Sequence, residues 1–356
     1  MTVQRKPNVE NYLKAMLFQS PDWIPTAVSL MPATWMKYGK ALEEIVCEHS
    51  RLFPNYRVGS YSAMTLLRQY KAGRWVDNWG TVWDNIEEGL DSLPVEAEAP
   101  LRDWDKLVDY RAPDPESEDD WVGPLDWPAR AAQLQVARRE GKLAAGSLNH
   151  GFMYMRLFYL RGFGNFMLDV AMHDPRLDRL IAIVCDRAVA IVRKWLELGA
   201  EIIFAGDDMG MQKSLPISPQ DWVRYIKPAY KAIIAPCAER GAYFYLHSDG
   251  HILEIIPHLV ECGVTVINPQ IRANGLEGLR DVAKGKVCIN LDLDRQLFPF
   301  ASQDEIRRHI RTAVETLNSP RGGLMLTAEC EPDVSLENIR TILETLEEVG
   351  AGPTGQ

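Results

Sequence analysis

Ala242-Tyr243-Phe244-Tyr245-Leu246 runs directly into His247-Ser248-Asp249-Gly250. A short apolar run closed by polar and turn-forming residues reads as a buried strand. The residues on either side repeat the pattern. Upstream, Ser218 with Asp221 three residues on and Pro219 between them opens a helix that runs to Arg240. Before it, Glu201 to Ala205 reads as a strand ending in Gly206-Asp207-Asp208, and a helix from Asp174-Pro175 closes at Gly199. Downstream, a helix His251 to Cys262 stops at Gly263, and strand Val264 to Ile267 ends in Asn268-Pro269-Gln270. Strand Val287 to Leu291 ends in Asp292, and Ser302 with Glu305 forms a capping box for the helix to Leu317. Strand Leu324 to Ala328 ends in Glu329-Cys330-Glu331, before a last helix from Ser335 to Glu348.

Short apolar strands separated by helices indicate a parallel sheet covered by helices. Strands at Ile24 to Leu30, near Tyr56 to Gly59, and at Leu143 to Leu148 bring the expected total to eight. The predicted fold is α/β, a (β/α)8 TIM barrel forming one domain over residues 1–356. Residues 75–127, with tryptophans at 75, 79, 83, 104, 121 and 127, read as an inserted hairpin and long loop near the barrel mouth. Those rings serve either to pack the insertion or to line an aromatic pocket. The Gly- and Pro-containing tail after Val349 is expected to fray.

Of the 356 residues, 46% are hydrophobic and 25% charged, with 39 basic against 49 acidic groups and a net charge of −10. No basic stripe interrupts that excess, which argues against nucleic-acid or anionic-membrane binding. Six dispersed cysteines form no C-x-x-C pair, so neither a disulfide framework nor a zinc ribbon is expected. No leader-like or membrane-spanning apolar run is present, and a cytoplasmic location is the expectation. Nucleotide, nicotinamide and serine-hydrolase motifs are absent.

Four strand ends carry ionisable or amide groups: Asp207 and Asp208, His247 and Asp249, Asn268 and Gln270, and Glu329 and Cys330. In a barrel such side chains converge on the mouth where catalysis sits. A His with two carboxylates, or with one carboxylate and a thiolate, makes a tetrahedral zinc set with an open position. His247, Asp249, Glu329 and Cys330 are the candidate metal ligands. Two plainer roles stand beside this one: Asp249 precedes Gly250-His251 and suits a helix cap, and Cys330 suits a core filler. Adjacent residues of an extended strand point oppositely, so one of Glu329 and Cys330 faces the mouth, and the reading favours Glu329.

At Gly206-Asp207-Asp208-Met209-Gly210 with Ser218-Pro219, Leu246-His247-Ser248-Asp249-Gly250, Asn268-Pro269-Gln270, and Glu329 with Glu337-Asn338-Ile339, the chain resembles the uroporphyrinogen decarboxylase superfamily. That group includes zinc-dependent methyltransferases that work with corrinoid proteins. The decarboxylase's Arg-Gln-Ala-Gly-Arg segment after the first strand is replaced here by Met31-Pro32-Ala33-Thr34-Trp35-Met36. The resemblance therefore lies closer to the methyltransferase branch. Its His-x-Cys becomes His247-x-Asp249, a harder donor set that suits an oxygen-bearing methyl donor.

The resemblance implies a zinc-dependent methyltransferase that moves a methyl group between a small methylated, methoxy-aromatic-type substrate and a corrinoid (cobalamin) on a separate protein. Asp207, Asp208 and His247 would be catalytic, and Gln212, Asn268 and Gln270 would orient the substrate. Two alternatives stay open: a metal-free lyase decarboxylating a smaller acid, and a tetrapyrrole or corrinoid binder without catalysis. A homodimer also stays open.

Overall fold

A computed structural model describes residues 5–351, so the tail expected to fray lies, from residue 352 on, outside the described residues. Among the described residues ten strands occur in chain order: β1 (Thr26–Leu30), β2 (Trp75–Val76), β3 (Val82–Asp84), β4 (Leu93–Pro94), β5 (Ala145–Ser147), β6 (Ile202–Gly206), β7 (Tyr243–Ser248), β8 (Val266–Pro269), β9 (Cys288–Asp292) and β10 (Leu324–Cys330). The chain divides into two compact units.

The first unit comprises Met1–Glu10, Arg74–Asp84 and Leu93–Asn268. In it β5, β6 and β7 run parallel, with Ala145 opposite Ile202 and Gly206 opposite His247. Just before β8 the Thr265 N–H donates to the Phe244 carbonyl of β7 at 2.9 Å. The helix Arg176–Glu197 lies on β5 through Trp195, whose indole N–H donates to the Ser147 carbonyl at 2.8 Å. β2, β3 and β4 form a separate antiparallel ribbon, with Trp75 opposite Trp83 and Trp83 opposite Pro94. Five of the six tryptophans of residues 75–127 are buried, and Trp75, Trp83 and the partly buried Trp121 pack against Tyr159. These rings pack the insertion against the helix Tyr154–Arg161, and Trp127 meets Trp195 edge to face.

The second unit comprises Asn11–Gly73, Asn85–Ser92 and Pro269–Gln356. β10 lies between β1 and β9, parallel to both, with Leu30 opposite Cys330 and Leu324 opposite Ile289. Gln270, just past β8, forms a parallel bridge with Asp292 at the end of β9. All five residues of β9 are buried, as expected of a parallel strand covered on both faces.

Strand–helix alternation thus holds in both units, and the fold is of the α/β, TIM-barrel-like class. Among the described residues seven strands run parallel, where eight were expected. Residues 56–59 are the missing strand. Their polar groups turn inward on a side chain: the Glu43 carboxylate accepts from the Tyr56 hydroxyl at 2.7 Å and from the Gly59 N–H. Gly59 sits at φ +86°, in the left-handed region that an extended strand excludes.

Helix starts fall where their caps put them. Ser218, Ser302 and Ser335 each accept the N–H three residues on, and Ser302 with Glu305 closes the expected capping box. No helix of the described residues is long and apolar enough to cross a membrane.

Candidate metal site

β6 and β7 end side by side, and the loops leaving them touch through two glycines. A methyl group on Gly210 would come within 2.3 Å of the His251 backbone nitrogen, and one on Gly250 within 2.2 Å of the Gly210 carbonyl carbon. The loops are stitched by Gly210 N–H to Asp249 O and by His251 N–H to Met211 O. That contact explains the glycines of both motifs and fixes where the side chains between them stand.

Asp208 follows β6, and its Oδ1 accepts the Asp249 N–H at 2.9 Å. The same oxygen lies 3.2 Å from His150 Nε2 and 3.7 Å from His247 Nε2. His247, on β7, is also 3.1 Å from Asp249 Oδ1. Its other ring nitrogen, Nδ1, lies 2.8 Å from Oδ1 of the buried Asn268. An amide oxygen only accepts, so Nδ1 carries a proton and donates it to Asn268, while Nε2 faces the two carboxylates. One ligand atom each from His150, Asp208 and His247 lies within 4.8 Å of the others.

Burial works against the charged form of Asp208, yet the His150 hydrogen bond and the two imidazoles hold its carboxyl down to about 2. For His150, enclosure disfavours the cation, but the hydrogen bond and charge of Asp208 outweigh it, and the imidazole is raised above its ordinary value.

Asp207 points elsewhere. It is fully buried and accepts the Tyr154 N–H at 2.6 Å, the Met155 N–H at 2.9 Å and the Tyr230 hydroxyl at 2.6 Å. Burial pushes its carboxyl up to about 6, against the pull of those three donors. Its contacts hold the start of the helix Tyr154–Arg161, and with it the segment that carries His150.

Asp249 caps no helix, because the next one begins only at Ile256. Gln212 is exposed on the loop after β6. Asn268 is engaged with His247, and the Gln270 carbonyl accepts from the Asn274 amide at 2.8 Å. In the second unit the Glu329 carboxylate is paired with the Arg295 guanidinium. Cys330 is fully buried, and burial, with Glu329 and Glu331 adding, pushes its thiol up to about 12.

His150 is the member of the cluster that sequence reasoning missed. Its signal was present: Asn149-His150 directly follows the predicted strand Leu143 to Leu148, the same strand-end position that singled out Asp207 and His247.

Residues 94–349 match the family model for uroporphyrinogen decarboxylase (URO-D). The chain belongs to the URO-D family. Among solved structures, this URO-D chain is similar to a methyltransferase from Methanosarcina mazei, with a TM-score of 0.61 at 15% identity over 97% of this chain and 99% of that one. That likeness is one of fold. Looser likenesses, too weak to argue from, are to a B12-independent methionine synthase from Shewanella sp. W3-18-1 (TM-score 0.41, 11% identity, 62% of this chain and 65% of that one) and to the 3-keto-D-glucoside 4-epimerase YcjR from E. coli (TM-score 0.39, 12%, 63% and 86%). No curated protein matches the chain by sequence.

Proposed function

We propose that this URO-D family member is a zinc-dependent methyltransferase whose metal is held by His150, Asp208 and His247, with Asp249 in reach of the same point. The observation that carries the reading is the cluster itself: two imidazole nitrogens and a carboxylate oxygen within 4.8 Å of one another. Nitrogen and oxygen donors in that number suit zinc with an open position. The set fits the ion further because the Asn268 hydrogen bond to Nδ1 turns His247 Nε2 toward the cluster, as the outer partner of a ligating histidine does. Zinc bound there would act as a Lewis acid on the oxygen of a methylated donor.

The chain's own residues do the rest. Asn268 keeps His247 in one tautomer, Asp207 holds the segment bearing His150, and Asp208 stays ionised across the neutral range. The methyl acceptor in this reading is a corrinoid carried by a separate protein, as the sequence resemblance implies. Glu329, already neutralised by Arg295, and Cys330, held as a buried thiol, are weaker ligand choices than the histidine pair.

The test is metal analysis of protein purified without chelators, paired with methyl transfer from aryl methyl ethers to free cob(I)alamin followed by cobalt absorbance. Zinc-dependent transfer supports the reading. Protein without transition metal that decarboxylates small acids would point instead to a lyase working through Asp207 or Asp208.

A further inference from the structure

The open aromatic surface of this protein is not in the tryptophan-rich insertion. Leu30 at the end of β1, Trp35 on the helix Pro32–Glu48, and Phe53, Tyr56, Tyr61 and Met64 from the segment after it enclose a cavity of about 360 Å³ in the second unit. Pockets of this size suit small ligands. The Trp35 ring lies parallel to Tyr56, 5.5 Å between centroids at 3°, and to Tyr61, 5.9 Å at 12°. Trp35 is thus stacked in parallel with both tyrosines, an offset arrangement that holds the three rings as one ordered apolar wall.

The rings are held in advance. Buried Glu43 accepts from the Tyr56 hydroxyl at 2.7 Å and from the Gly59 N–H, which pins the segment to the helix. Ser60 brings a hydroxyl to the wall, and no Asp, Glu, Lys, Arg or His lines it. An ionised ligand would be desolvated there without a partner. These residues also lie outside 94–349, the part of the chain matched by the family model.

We infer that this cavity binds a neutral, planar aromatic molecule, packed against the wall that the Trp35, Tyr56 and Tyr61 rings form. The inference does not depend on the metal site. The experiment is titration of the full chain with 2-naphthol at neutral pH, read by the probe's fluorescence anisotropy, with and without prior chelation. The expected result is saturable one-to-one binding that chelation leaves unchanged and that Trp35→Ala weakens tenfold or more. Met64 is 38% exposed at the rim, so Met64→Lys should weaken binding similarly while sparing the core. Absence of saturable binding, or binding that both variants leave intact, would overturn the inference. Displacement of 2-naphthol by an equimolar amount of tetramethylammonium would also overturn it, since that would make the site a cage for cations.

Discussion

Gly206 lacks a side chain, and the His150 ring uses the room. A methyl group at Gly206 would stand 2.4 Å from His150 Cδ2, closer than any carbon pair tolerates. Gly206→Ala should therefore swing His150 away from Asp208 and cost the protein tenfold or more in zinc affinity. Titration against a competing chelator reads this, and wild-type affinity in the variant would remove His150 from the site. Asn268→Leu should lower zinc affinity about 10–100-fold, the usual cost of losing the outer partner of a ligating histidine. If Asn268 instead orients only substrate, zinc affinity stays and KM alone rises. The sequence marked Asp207, Asp208 and His247 as a group because strand ends are recognisable locally. It missed that Asp207 and Asp208 part company: whether a carboxylate faces Tyr230 or His150 depends on partners tens of residues away.

Among the elements, the insertion is bound to the helix Tyr154–Arg161 by a buried ion pair, Arg156 to Asp77 at 2.7 Å, both nearly inaccessible. Trp79, Trp121 and Tyr159 surround the guanidinium. Arg156→Met removes one partner and leaves the Asp77 charge enclosed, which should cost about 3–5 kcal/mol in urea unfolding. A loss below about 1 kcal/mol would mean that the insertion opens freely to water.

A second tie, Arg5 to Glu201, predicts a pH effect. Burial opposes ionisation of Glu201, but Arg5 and the Ala144 N–H prevail and lower its carboxyl below the ordinary value. A lowered folded-state value stabilises above the unfolded carboxyl's own titration, and that stability is lost as pH falls through the folded value. Glu201→Gln should therefore lower Tm at pH 7, with the deficit shrinking as the pH falls below the ordinary carboxylate range; a deficit that acid leaves unchanged would contradict the assignment. The helices beginning after Ser218, Ser302 and Ser335 were legible because caps are short-range signals. Residues 56–59 were not, because their donors are taken by Glu43, thirteen and sixteen positions back.

At the scale of the whole molecule, alternation of strand and helix and the strand-end motifs sufficed to reach the TIM-barrel class and the URO-D family, since both are written in periodicity and local motif. The ligand set was harder to read. The sequence offered a His, two carboxylates and a thiol at successive strand ends. The fold supplies a second imidazole from after β5 and leaves the Cys330 thiol buried. Zinc content by plasma mass spectrometry, for wild type, His150→Ala and Cys330→Ser prepared without chelators, tests this most directly. The account predicts about one zinc per chain in wild type and in Cys330→Ser, and loss of zinc from His150→Ala. Zinc retained by His150→Ala and lost from Cys330→Ser would contradict it.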